Sequence, residues 1–292
     1  MPLLHIASGG PDWFQWSVQL DVLILCIALE YGYLWSVNTL RFRTIDAGRV
    51  KRSQIAYFTA GVFSIYLAAG GPLHDLADGR LVSAHMLQHL ILMMVVPPLL
   101  LAGIPSWIWQ ALLRRPGAMA IGRFITKPLI ALAMFNGVFF LTHLPEAVDL
   151  QLDSWAFHLT VHSLQVLAGL LMWWLILSPV AELPKLSYPL QMGYLFLQSL
   201  IPSVFAGVFT FANGAVYEAY NVTPRFWGVS IIEDQQISAA IMKLAGTFIL
   251  WSFIGYAFFR WYANEEAEAR GPRLRDVEEE LQELGLTSSA RR

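Results

Sequence analysis

Of 292 residues, 56% are hydrophobic and only 14% are charged, against about 25% charged in an ordinary soluble domain. The net charge of −2 leaves no basic field for nucleic acid. The single cysteine, Cys26, excludes an intramolecular disulfide and any multi-cysteine zinc or iron–sulfur centre, and it reads as a small buried apolar residue.

Residues 1–14 lack the basic region and cleavage site of a signal peptide and read as a short external tail. Seven apolar runs follow, each long enough to cross about 30 Å of hydrocarbon. They are Gln15–Val37, Ser53–Ala69, Leu81–Gly103, Ile125–Leu144, Trp155–Leu177, Leu190–Ala212 and Gln236–Tyr262. All are expected to be α-helices, because an open sheet cannot satisfy its backbone in lipid. The expected fold is therefore an all-α polytopic bundle of seven transmembrane helices over residues 15–262. The 11 Trp, 10 Tyr and 18 Phe suit membrane interfaces. Pro97-Pro98 is expected to kink the third helix, where two backbone donors are lost. Residues 104–120, with Trp107 and Trp109, read as an amphipathic segment on the inner surface. Residues 263–292 form a charged tail in which Asp276–Leu281 has the composition of one short helix, the rest reading as solvated.

The loops orient the chain. Arg41, Arg43, Arg49, Lys51 and Arg52 follow the first run, Arg114, Arg115, Arg123 and Lys127 follow the third, and Arg270, Arg273 and Arg275 follow the seventh. Residues 145–154 have no Lys or Arg and carry Glu146, Asp149 and Asp153 instead. By the positive-inside rule the N-terminus is outside and the tail is cytoplasmic.

On that topology all seven histidines fall on the outer side. His85 and His89 are spaced i, i+4 at depths of about 6 and 12 Å in the third run, and His158 and His162 repeat the spacing at about 5 and 10 Å in the fifth. His143 ends the fourth run, and His74 lies in the outer loop between the second and third. A lone membrane histidine is usually an interhelical hydrogen bond. Two His-x-x-x-His pairs at matching depth, with His143 at the same face, point instead to a shared metal site. Metalloprotease chemistry is excluded, since Met86 stands where a zincin helix carries its glutamate. Imidazole suits Zn, Cu, Fe and Ni, while thioether selects Cu(I). Met86, Met93, Met94 and Met242 lie in the same helices, Met86 and Met242 as weaker ligand candidates and Met94 mainly as packing. Asp75, Asp78, Glu146, Glu233 and Asp234 are carboxylates for access or support, with Asp234 a weaker ligand candidate and Asp21 near the same face. Lys243, a lysine within the seventh run, is a functional candidate, but the third run offers no carboxylate as a retinal-type counter-ion.

Three alternatives stand beside copper handling. Bis-histidine ligation by His89 and His162 would suit a haem, although the inner half has no histidine for a second one. A transporter would need polar stations in the inner half, where Glu30 is nearly alone. A metal-independent scaffold leaves the one-sided histidines unexplained.

The motifs resemble a known family. His85-Met86-Leu87-Gln88-His89 with Met93-Met94 and Pro97-Pro98-Leu99-Leu100, Thr142-His143-Leu144-Pro145, His158-x-x-x-His162 with Gly169 and Trp173-Trp174, and Asp234-Gln235-Gln236 with Met242 occur in order. Together they resemble the CtaG family of multi-span cytochrome c oxidase (caa3-type) assembly factors, over residues 15–262. The single-span cupredoxin-like factor sharing that label uses a Cys-x-Cys pair absent from this sequence. The resemblance implies a non-enzymatic protein of the bacterial plasma membrane. Its expected partners are oxidase subunits and a copper chaperone as donor, and its role is maturation of a haem–copper oxidase. Lys243, where relatives are expected to carry an aromatic residue, departs from the pattern.

Overall fold

The structure, a computed structural model, describes residues 17–39, 48–223, 225–269 and 281. Its helices are α1 (Leu20–Thr39), α2 (Arg52–Ala69), α3 (Pro72–Ala77), α4 (Val82–Leu90), α5 (Val96–Gly103), α6 (Ser106–Leu113), α7 (Ala118–Ile125), α8 (Pro128–Thr142), α9 (Pro145–Asp153), α10 (Trp155–Leu177), α11 (Tyr188–Gln198), α12 (Leu200–Phe211), α13 (Ile231–Ala240) and α14 (Gly246–Ala269). No strand occurs among the described residues. The external tail, most of the first basic loop and the Asp276–Leu281 stretch except Leu281 lie outside them.

Six helical segments are long and apolar enough to cross a membrane: Leu20–Thr39, Arg52–Ala77, Val82–Gly103, Trp155–Leu177, Tyr188–Phe211 and Ile231–Ala269. The expected fourth run differs. It is carried by the short α8 alone, which α7 precedes at an angle of 81°, and the count is seven only if this bent pair makes one span. The break falls at Lys127-Pro128, where Lys127 is extended at φ −63°, ψ 131°, as a residue before proline must be. The 15 residues of α8 reach only about 22 Å. The last helix, by contrast, runs seven residues past the expected boundary, to Ala269.

Local sequence sets several helix starts. Ser230 and Glu233 form a capping box on α13: Ser230 Oγ accepts from the Glu233 N–H at 3.2 Å, and Glu233 accepts from the Ser230 N–H at 2.8 Å. Pro72, Pro128 and Pro145 each sit in a first turn, where a missing N–H costs nothing. Pro97 does the same for α5. A kink is expected at Pro97-Pro98; the helix is irregular one turn earlier, in a π turn over Ile91–Val95 that joins α4 to α5, with Val96 N–H bonded to Ile91 O. A second π turn, Ile241–Ala245, joins α13 to α14.

Without a hydrophobic drive between helices in lipid, small residues let backbones approach. A Cβ on Gly103 would lie 2.5 Å from Phe58 N of α2, and one on Gly169 of α10 would lie 2.7 Å from Met93 O. One buried cluster gathers α4–α5, α8, α10 and α11–α14 around Trp173, Phe135 and Phe209, and a second joins α1, α2, α5 and α6. Trp107 is buried in the second cluster, and Trp109 meets Trp174 edge to face at 5.0 Å. The expected surface segment thus packs its tryptophans onto the bundle. Phe211, Phe248 and Leu129 are exposed on the outside of the helices, as lipid-facing side chains are.

Candidate functional site

The i, i+4 spacing places His85 and His89 on the inward face of α4, and His158 and His162 on the inward face of α10. All four are buried, as is His143 at the C-terminal end of α8. Their rings form a closed four: His85–His89 at 4.1 Å, His89–His162 at 5.6 Å, His162–His158 at 4.3 Å and His158–His85 at 6.5 Å between centroids. His143 adjoins through His89 at 5.3 Å. The structure therefore brings all five histidines into one cluster.

The nitrogens are not equivalent. His143 Nδ1 lies 2.7 Å from Phe139 O. A carbonyl only accepts, so the proton is on Nδ1 and the lone pair is on Nε2. His158 Nε2 and His162 Nε2 are 3.1 Å apart, close to the roughly 3.3 Å separating two tetrahedral ligands about 2.05 Å from one metal ion. Both ring nitrogens of His85 and both of His89 are buried without a hydrogen-bond partner, which is costly in an apolar surrounding. Among the described residues, no three His, Cys, Asp or Glu side chains stand as a ready metal-holding group. The imidazoles meet ring against ring.

Two cavities flank the cluster. The larger, about 550 Å³, lies between α1, α2 and α10. His74, His158 and His162 face it with Asp21, Asp78 and Asp153, above an aliphatic floor that includes Leu25, Leu29 and Val166. Asp21 accepts from Trp155 Nε1 across it at 2.8 Å. The smaller, about 40 Å³, is lined by His89, His143, Met86, Met93, Met94 and Met242, with Lys243 at its wall. Lys243 donates to Ser203 Oγ.

Asp234 lines neither cavity. Its carboxylate accepts from the backbone N–H groups of Val82 and Ser83 at the start of α4, and pairs with Arg225 at 3.5 Å. Its oxygens support the histidine helix from outside.

Four participants had little sequence signal. His74 is on α3, folded back so that its ring is 5.3 Å from His158. Gln88 Nε2 donates to Ala68 O at 2.9 Å and reaches His74 Nδ1 at 3.2 Å. Since Ala68 O only accepts, the amide nitrogen must face both, and His74 carries its proton on Nε2. The Gly70-Gly71-Pro72 break ahead of α3 was the available hint. Tyr217 and Tyr220 belong to the loop between α12 and α13 and are fully buried. Tyr217 OH donates to His143 O at 2.8 Å and Tyr220 OH to Ala77 O at 2.7 Å. Tyr220 also lies 5.9 Å from the His85 ring. Burial pushes both phenols well above their ordinary pKa, so both remain neutral donors.

Compared with known families, residues 31–264 match the cytochrome c oxidase caa3 assembly factors (Caa3_CtaG). The chain belongs to this family. The match runs from the middle of α1 through most of α14, so all five clustered histidines of this caa3 assembly factor family member lie within the shared region. No curated protein and no solved structure matches the chain significantly.

Proposed function

We propose that this family member binds Cu(I) in the histidine cluster and aids maturation of a copper centre of the oxidase, without catalysing a reaction itself. The observation that carries the reading is the pair His85 and His89: four buried ring nitrogens lack hydrogen-bond partners at the centre of a five-histidine cluster. A soft monovalent ion bound by neutral imidazoles removes that cost with little added charge burial. His85, His89, His143, His158 and His162 are the ligand set from which such an ion is held. Met86 and Met242 are neighbouring sulfur donors, and Asp234 is a support. In this reading the cluster lies in the outer half of a bacterial plasma membrane, N-terminus outside and C-terminus cytoplasmic, an orientation that the loop charges support. The partners in this reading are oxidase subunits as acceptors and a copper chaperone as donor.

The haem alternative has less support. Bis-histidine ligation needs an open slot between two imidazoles, and His89 meets His162 edge to face at 5.6 Å with His85 and His143 against the same ring.

The test replaces His89 or His162 with Ala. The variants are expected to insert and accumulate, because insertion follows hydrophobicity, while purified protein binds less copper than wild type. Cells are expected to hold oxidase with haem but short of copper and inactive. Fully metallated, active oxidase in both variants would overturn the reading in favour of a metal-independent scaffold.

A further inference from the structure

We infer that the cluster contains two Cu(I) subsites of different chemistry, an all-imidazole one at His158 and His162 and a thioether-rich one in the small pocket beside His89 and His143. This rests on the copper reading above and divides its site in two.

The small pocket gathers Met86, Met93, Met94 and Met242, four of the nine methionines of the chain. All four are buried. Three of them lie in the two π turns, Met93 and Met94 in Ile91–Val95 and Met242 in Ile241–Ala245. π turns make up well under 1% of residues and recur at functional sites. Each one shifts the register of the side chains beyond it by about one residue, or roughly 100° around the helix. Here two such turns, on helices far apart in sequence, bring methionines into the lining of one pocket.

The imidazoles at this pocket suit the same ion. His143 has its proton on Nδ1, held by Phe139 O, so its Nε2 is a ligand lone pair. His89 has no hydrogen-bond partner on either nitrogen. A volume of about 40 Å³ admits one ion, being of the order of a single water site. Neutral sulfur and nitrogen donors in an apolar wall select Cu(I) over divalent ions. The Lys243 ammonium at the wall weakens cation binding, which fits a site that releases its ion.

The other subsite faces different surroundings. His158 and His162 open on the large cavity, whose Asp21, Asp78 and Asp153 attract cations. His162 and His89 rings are 5.6 Å apart, a step short enough for ligand-to-ligand transfer. The ion is received at the acid-rimmed, imidazole side and passed to the thioether side.

The experiment titrates full-length protein in detergent with Cu(I), anaerobically, against a chromophoric Cu(I) chelator. X-ray absorption at the copper edge reads the ligand shell. Wild type is expected to bind two Cu(I) with a mixed nitrogen and sulfur shell, the sulfur near 2.3 Å by analogy with zinc–sulfur bonds (an approximate value). The volume-conserving variant M86L/M94L/M242L is expected to bind one Cu(I) with nitrogen ligands only. The variant H158A/H162A is expected to bind one with sulfur retained. Wild type binding a single Cu(I) with no sulfur shell, or the methionine variant keeping two, overturns the second subsite and leaves the copper reading standing. No Cu(I) binding by wild type overturns the copper reading itself. If the triple variant does not fold, the sulfur shell of wild type and the single variant M242L decide the question.

Discussion

Asp234 of α13 closes the N-terminus of α4 by accepting the Val82 N–H at 2.8 Å, while its other oxygen takes the Ser83 N–H at 3.1 Å. The two residues are 152 positions apart, so one carboxylate joins the last helical region to the helix that carries His85 and His89. An acceptor at a helix N-terminus contributes about 1 kcal/mol, and stranding the buried partner of an ion pair costs about 3 kcal/mol or more. Asp234→Ala is therefore expected to lower stability by roughly 2–4 kcal/mol, since Arg225 keeps its bonds to Val229 O and Tyr220 O. Asp234→Asn, which keeps an acceptor, is expected to fall between it and wild type. Thermal unfolding in detergent measures the order. Equal stability of all three would show that the cap contributes nothing.

Gly169 tests the packing of α10 on the α4–α5 region. A Cβ there would stand 2.6 Å from Pro97 Cγ and 2.7 Å from Met93 O, and backbone on one side leaves no soft neighbour to give way. Gly169→Ala is expected to destabilise by about 1–3 kcal/mol. Gly137→Ala, where a Cβ meets nothing within 4 Å, is the matched control and is expected to be neutral or slightly stabilising. Comparable losses in both would disprove the close approach.

Tyr217 and Tyr220 pack against the cluster beside His143 and His85. Removing either hydroxyl as Phe forfeits one buried hydrogen bond, about 1 kcal/mol, and is expected to speed amide exchange and proteolysis in residues 212–230. Their pH dependence follows from burial. Both phenols titrate higher in the folded protein than in the unfolded chain, so the folded state holds more protons above the ordinary phenol pKa of about 10. Their contribution is complete below pH of about 10 and is lost as pH rises beyond it. The double variant Y217F/Y220F is expected to show a shallower loss of stability in that range, measured by unfolding at successive pH values.

The orientation is checked with reporters. A fusion after Arg292 is expected to behave as cytoplasmic, and one within Glu146–Asp153, which is helical here, as external. The reverse pattern would move every histidine to the cytoplasmic side and remove the basis for outer-face delivery.

Composition and periodicity alone determined much of this protein. Long apolar runs can satisfy their backbone only as helices, and the Trp155–Leu177 run is the helix observed. His-x-x-x-His spacing put each pair on one face because the α-helix repeats every 3.6 residues. Those features depend on neighbours in sequence. The rest depended on which helices pack together, and a single sequence carries no local trace of that. His74 joins His158 because α3 folds back over the bundle, and Asp234 caps a helix 152 positions away. Tyr217 and Tyr220 reach the cluster because the loop that bears them turns inward. The break between α7 and α8 had a local signal in Lys127-Pro128, but its 81° angle is set by what each half packs against. Residues of the two π turns line one pocket only in the assembled bundle, since a helix shifts its register when interhelical contacts outweigh the hydrogen-bond geometry given up.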